Sequence, residues 1–104
     1  MRTSLLAFAL SLAAFPALAD SIDGNWCRDS GQRLSIAGPS IVTPGGARIQ
    51  GDYSRHAFSY VVPAGEPGAG STIEMRLLGE YDMQSRTAGT TAPLDWKRCG
   101  PATS

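Results

Sequence analysis

The sequence predicts an all-β domain, a small antiparallel up-and-down β-barrel of about eight short strands. Hydrophobic and polar residues alternate in short runs, and no helical period of useful length interrupts them. Glycine, proline, serine and aspartate separate the runs, as tight turns require. No separator is long enough to hold a crossover helix, which argues against a parallel sheet.

Eight runs are predicted as strands, and their alternation assigns an inner and an outer face. In the sixth and seventh runs, Ile73, Met75, Leu77, Tyr81 and Met83 are predicted to point inward. An open sheet of this size would expose apolar surface and free edges, whereas a closed barrel or a small sandwich removes both. The runs are 24–28, 33–37, 40–43, 47–50, 53–62, 71–78, 80–86 and 94–99.

The first nineteen residues are predicted to be a cleaved signal peptide. A short segment with one positive charge, Arg2, precedes an apolar stretch from Leu5 to Phe15, which is shorter than the ~20 residues that span a bilayer. Ala17-Leu18-Ala19 is a small-residue cleavage site. We therefore expect 1–19 to be removed, 20–104 to form a single domain, and the protein to be periplasmic or secreted.

The charge of the predicted mature domain excludes some partners. The whole chain has nine basic and nine acidic residues, so loss of Arg2 leaves a net charge near −1. Such a balance gives no reason to expect binding to nucleic acid or to an anionic membrane. No membrane anchor and no cofactor is predicted.

Two cysteines, Cys27 and Cys99, lie near the two ends of the predicted domain. In an exported protein they are expected to form one disulfide joining the first and last strands. Free thiols or metal ligands are the alternative, but no Cys/His cluster supports it. If the two cysteines lie directly opposite each other, Asp29 faces Lys97 across the same strand pair.

The same register makes Trp26 and Arg98 diagonal neighbours on the other face, where a guanidinium can stack on an indole. Gly24-Asn25-Trp26 on a first strand, with an arginine on the last, resembles the signature of the calycin barrels, the lipocalins and their short relatives. The resemblance implies a barrel whose floor is closed by Trp26 beneath Arg98. The size of the chain is similar to that of small exported bacterial barrels that inhibit lysozymes or metalloproteases.

His56, the only histidine, falls inside the predicted strand 53–62, on one face with Phe58 and Tyr60. It is interpreted as packed beside these rings, with a locally bonded ring N–H. The alternatives are a histidine, near Tyr60, that contacts a ligand or partner at the barrel mouth, and a catalytic or metal-binding histidine. No second nitrogen ligand or carboxylate pair accompanies it, so a metal site is disfavoured.

The proline- and glycine-rich loop 63–70 is longer than a hairpin needs, and such loops often carry function. It is predicted either as a passive connector or as a partner-binding protrusion with Glu66 at its tip. Arg55 is a candidate anion contact and a candidate ion-pair partner of Glu66. Trp96 is expected in the core, with a cavity wall as the alternative.

These features favour an exported, non-enzymatic binding protein that binds or inhibits another protein in the cell envelope or outside the cell, as a monomer or a weak dimer. The alternative is a carrier of small hydrophobic ligands, with an internal cavity. A third possibility is an enzyme that uses His56, although no nucleophile motif accompanies it. The residues predicted to line a carrier's cavity are Leu34, Phe58, Met75, Tyr81 and Met83.

Overall fold

A computed structural model describes residues 21–100; the predicted signal peptide and its cleavage site lie outside this range. The described chain is all-β, as predicted, and consists of antiparallel strands joined by turns. No helix that could cross a membrane is found within this range. The strands are β1 Gly24–Cys27, β2 Arg33–Ala37, β3 Ser40–Val42, β4 Arg48–Gln50, β5 Asp52–Ser54, β6 Ala57–Val61, β7 Thr72–Leu77, β8 Asp82–Thr87 and β9 Leu94–Arg98.

The predicted strand 53–62 is wrong, because the structure divides it into β5 and β6. Ser54 pairs with Ala57, which leaves Arg55 and His56 as the two residues of a hairpin turn. Neither residue is a glycine or an asparagine, so the usual sign of a two-residue turn is missing. A two-residue turn also reverses the alternation, so Tyr53 and Phe58 pair on one face although their numbers differ in parity. This reversal explains why both faces of the run look equally apolar.

The sheet closes into a nearly complete barrel. Its order is β4-β3-β2-β1-β9-β8-β7-β6-β5, and the two terminal strands of this order are consecutive in the chain, separated only by Gly51. If β4 and β5 are counted as one bent strand, this strand joins the two edges of the sheet, and the barrel has the eight strands that the sequence predicts. A Cβ atom at Gly51 would overlap the Ser59 carbonyl oxygen and the Phe58 ring, so this corner requires glycine.

The barrel interior is the hydrophobic core, and the alternation predicts most of it. The buried side chains include the inward residues Met75 and Met83 of neighbouring strands. Tyr81 is the exception: it precedes β8 in a turn and is 65% exposed, so it does not line the interior. The buried apolar set is Ile22, Trp26, Leu34, Ile36, Ile41, Phe58, Tyr60, Val62, Met75, Met83 and Trp96.

Strand direction sorts the connections into two ends of the barrel. One end, which we call the floor, carries the short turns 38–39, 55–56 and 78–81 and the incoming segment 21–23. The other end, the mouth, carries the longer connections. These are 28–32, 43–47, 62–71 and 88–93.

The disulfide between Cys27 and Cys99 is present and ties β1 to the end of β9. The register differs from the predicted one by two residues, since Cys27 pairs with Lys97 and Trp26 pairs directly with Arg98. The two cysteines are therefore diagonal neighbours, with their Cα atoms 5.0 Å apart on the twisted strand pair. The expected pairing of Asp29 with Lys97 is wrong: Lys97 Nζ lies 2.6 Å from Asp82 Oδ1 instead.

Candidate functional site

A cavity of about 340 Å³ lies inside the mouth of the barrel. It brings together three of the five candidate residues, Tyr60, Glu66 and Trp96, which the sequence places far apart. Apolar side chains form most of its wall, and polar groups are few. The apolar lining comprises Leu34, Val62, Ile73, Met75 and Leu94, and the other polar groups are Gln32, Ser85 and Thr87.

Trp96 is one wall of this cavity, on β9. Its side chain is 3% exposed, and its indole Nε1 donates a 2.9 Å hydrogen bond to Ser85 Oγ on the neighbouring strand β8. Ser85 is itself buried, at 4% exposure. Ser85 is not among the site residues predicted from the sequence, although the alternation that places Met83 inward also places a serine two residues later on the same apolar face.

Tyr60 forms another part of the wall, on β6. Burial, and after it the negative charge of Glu66, raise the pKa of Tyr60 to about 12. The phenol therefore stays protonated at every physiological pH and remains a hydrogen-bond donor. Its hydroxyl has no hydrogen-bond partner among residues 21–100.

The loop 63–70 folds over the mouth and is fastened to the opposite turn, so the prediction of Glu66 at the tip of a protrusion is wrong. Glu66 Oε2 accepts a 2.6 Å hydrogen bond from Thr43 Oγ1, and Glu66 Oε1 accepts one of 3.3 Å from the Gly45 amide. Thr43 is 2% exposed and also accepts from the Ala47 amide. A side chain at Gly45 would overlap the Glu66 carboxylate, so this glycine permits the contact.

Arg55 and His56 lie at the floor, at the opposite end from Glu66, and the proposed Arg55–Glu66 ion pair is wrong. Both residues are exposed in the β5–β6 turn, where the Arg55 carbonyl accepts from the Ile22 amide. His56 stands at one end of an outer groove across β7 and β8, and not beside Phe58 and Tyr60 in the interior. Between residues 21 and 100 there is no group of three His, Cys, Asp or Glu that could hold a metal ion.

The floor is closed by Trp26 and Arg98. The Arg98 guanidinium lies 4.2 Å from the centroid of the Trp26 ring, and the Trp26 Nε1 donates to the Ile22 carbonyl at 2.9 Å. Arg98 also donates hydrogen bonds to the backbone carbonyls of Ser21, Asp23 and Glu80. The incoming segment 21–23 is thereby fixed across the end of the barrel.

Asp23 completes the floor by accepting hydrogen bonds from the Gly38 amide and from the hydroxyls of Tyr53 and Ser21. Burial alone would raise the pKa of Asp23, but these hydrogen bonds outweigh it and the pKa lies below its usual value. The stability that ionised Asp23 contributes is thus present above its unfolded-state pKa of about 3.9 and is lost as the pH falls through the lower folded-state value.

We expect Asp23→Asn to destabilise the protein at pH 7, with a difference from the parent that shrinks below about pH 4. Urea unfolding at pH 7, 4 and 3 measures it. Asp52→Asn, at an exposed position, is the control and should change little. A difference that stays constant down to pH 3 would contradict this role for Asp23.

Comparison of the chain with protein-family models, with curated proteins and with solved structures found no match. The mouth cavity brings together three of the five candidate residues. Its size, lining and polar groups are therefore the basis for a functional assignment.

Proposed function

We propose that this protein is a non-enzymatic binding protein that takes a small, largely apolar molecule into the mouth cavity. The observation that carries the proposal is the cavity of about 340 Å³ lined by Trp96 and Tyr60. Small-molecule sites are typically ~300–1,000 Å³, mostly apolar, and carry a few placed polar groups. This assignment favours the carrier alternative over the protein-binding one.

The size of the cavity restricts the ligand to a small molecule. At about 340 Å³, its volume lies near the lower end of the ~300–1,000 Å³ range of small-molecule sites. The walls come from strands β2, β6, β7, β8 and β9 and from the mouth loops, of which 63–70 is fastened to the turn 43–47 by the hydrogen bonds of Glu66, so the site is formed before the ligand arrives. A preformed site avoids the entropic cost of ordering loops on binding.

Two further features support a location outside the cytoplasm and the resemblance to the calycin barrels. The Cys27–Cys99 disulfide supports a location outside the reducing cytoplasm, in the periplasm or beyond it. The Trp26–Arg98 stack on the floor, at the opposite end from the cavity, supports the resemblance to the calycin barrels.

Acetophenone, a small neutral aromatic ketone, should bind with a Kd on the order of 1 mM, as expected for a fragment of this size. Titration should move the indole N–H resonance of Trp96 in a saturable way, because that ring is a wall of the cavity. The resonance of Trp26, the other tryptophan, should stay in place.

A matched pair of leucine substitutions localises the binding. Both leucines are exposed, at 43% for Leu94 and 53% for Leu78, but Leu94 lines the cavity at the mouth and Leu78 lies near the floor. Leu94→Trp should fill the cavity and abolish the Trp96 shift, and Leu78→Trp should leave it intact. Acetophenone binding that survives Leu94→Trp, or no binding by the parent protein, would defeat the proposal.

A protein partner is the second candidate function, and one observation favours it. Leu78 and Tyr81, at 53% and 65% exposure, present two apolar side chains to water within a single turn of the floor. This surface would contact an envelope protein while the mouth cavity stays free. Lysozyme and protease inhibition assays with the parent and with Tyr81→Ser test it, and unchanged hydrolase activity in both would remove the inhibitor role.

A further inference from the structure

Two hydroxyl groups on largely buried residues of the mouth cavity, those of Ser85 and Tyr60, lack an acceptor for their hydrogen atoms among residues 21–100. Ser85 Oγ accepts from the Trp96 indole, so its own hydrogen is left to donate, and no acceptor for it occurs among residues 21–100. The Tyr60 hydroxyl has no partner in the same part of the chain, although the side chain is 93% buried, being 7% exposed. Both residues line the cavity.

Such groups are costly to leave unsatisfied within a protein. A wholly apolar ligand that excluded water from the cavity would leave both donors without a partner. A ligand whose hydrogen-bond acceptor reaches these hydroxyls gives them a partner again. Each hydroxyl has an O–H hydrogen that an acceptor on the ligand can satisfy, since Ser85 Oγ already accepts from the Trp96 indole and the Tyr60 phenol is protonated.

The charge around the cavity selects against an anion. Glu66 carries a carboxylate at the rim, and its charge reaches the Tyr60 hydroxyl. The described lining contains no lysine, arginine or histidine that could offset a second negative charge. Arg28 lies over the Trp96 ring, 5.6 Å from its centroid, but it lines a neighbouring outer cleft and not the mouth cavity.

We propose that the ligand of the mouth cavity is a neutral molecule with an apolar body and a hydrogen-bond acceptor such as a carbonyl oxygen, held by the hydroxyls of Ser85 and Tyr60. This inference rests on the proposed small-molecule function and names the chemical class that the site takes. The apolar body packs against Trp96, Leu34 and Met75. The two hydroxyls are on β6 and β8, the strands on either side of β7.

Three probes of the same shape and the same number of non-hydrogen atoms test this assignment. Acetophenone carries a carbonyl oxygen where α-methylstyrene carries a methylene carbon, and benzoate replaces the neutral ketone by an anion. Calorimetry and the Trp96 indole resonance measure the binding of each probe to the intact protein. Because α-methylstyrene leaves water more readily than acetophenone, the quantity compared is the ratio of the two affinities in each variant.

Removing either hydroxyl, by Ser85→Ala or Tyr60→Phe, should lower the ratio of acetophenone to α-methylstyrene affinity about 3- to 10-fold, as the loss of one hydrogen bond predicts. Tyr81→Phe, at an exposed tyrosine, is the matched control and should leave the ratio unchanged. Benzoate should bind about tenfold more weakly than acetophenone at pH 7, and Glu66→Gln should narrow this gap.

The outcomes separate this inference from the function on which it rests. If acetophenone and α-methylstyrene bind and the ratio is the same in every variant, the cavity binds ligands but the two hydroxyls do not select them. If benzoate binds as tightly as acetophenone, the preference for a neutral ligand is wrong. If none of the three probes binds, the proposed small-molecule function itself fails.

Discussion

Replacing Cys27 and Cys99 together with serine should lower the free energy of unfolding by about 4 kcal/mol. The disulfide joins positions separated by 72 residues, and the chain-entropy treatment gives about this loss for a loop of that length. A small domain has only about 5–15 kcal/mol of net stability, so the variant should be close to unfolding at 37 °C. Urea unfolding monitored by tryptophan fluorescence measures the change.

The covalent bond and the side chains can be tested separately. The parent protein after reduction keeps both cysteines but loses the bond, so it should match the double serine variant to within about 1 kcal/mol. Ser35→Ala, on the outer face of β2, controls for the substitution of a small strand residue. Equal stability of the oxidised and reduced proteins would show that the β1–β9 pairing is held by its other contacts alone.

The alternation of the sequence predicts most of the strands, because a period of two is a local property of the chain. It fails at residues 53–62, where the turn Arg55-His56 lacks turn-forming residues and the inner face changes parity. It also fails at Tyr81, where the strand begins one residue later. The first error occurs where a turn is specified by pairing with neighbouring strands and not by its own residues, and the second concerns how far the turn at Gly79 extends.

The site is less predictable than the fold, since it depends on which strand ends meet. Tyr60 and Trp96 are recognisable as candidates from their residue types, but their position on one cavity follows from the closure of the barrel. Glu66 stands out by its place in the loop, yet its partner Thr43 lies 23 residues away in a turn that looks purely structural. In the sequence, Ser85 is marked only by its position two residues after Met83, on the inward apolar face of the strand.

The Trp26–Arg98 contact is predicted correctly although the predicted register of β1 and β9 is wrong by two residues. Cys27 is predicted to lie opposite Cys99. In the structure Trp26 lies opposite Arg98, and the two cysteines are diagonal neighbours. Both registers keep Trp26 and Arg98 on one face, because a shift of two residues preserves the alternation. The Trp26–Arg98 stack and the Cys27–Cys99 disulfide can therefore be predicted without the exact register.

Arg98 makes one stacking contact and three hydrogen bonds at the floor, and these contacts depend on the shape of its guanidinium. The group stacks on Trp26 and at the same time donates to the carbonyls of Ser21, Asp23 and Glu80. Those carbonyls belong to the incoming segment and to the β7–β8 turn, so one side chain ties both segments to the end of β9. A planar fork with five N–H donors can make these contacts together, whereas the single ammonium of lysine cannot.

We therefore expect Arg98→Lys to lower the free energy of unfolding by about 2–3 kcal/mol, close to the loss in Arg98→Ala, from the missing stack and the charge-assisted hydrogen bonds. Urea unfolding measures both variants. Arg86→Lys is the matched control, since Arg86 is an exposed strand residue that faces Glu74 at 3.6 Å, and a surface pair of this kind contributes under about 1 kcal/mol. If Arg98→Lys is as stable as the parent, positive charge alone is sufficient on the floor, and the geometry of the guanidinium is not what holds the incoming segment.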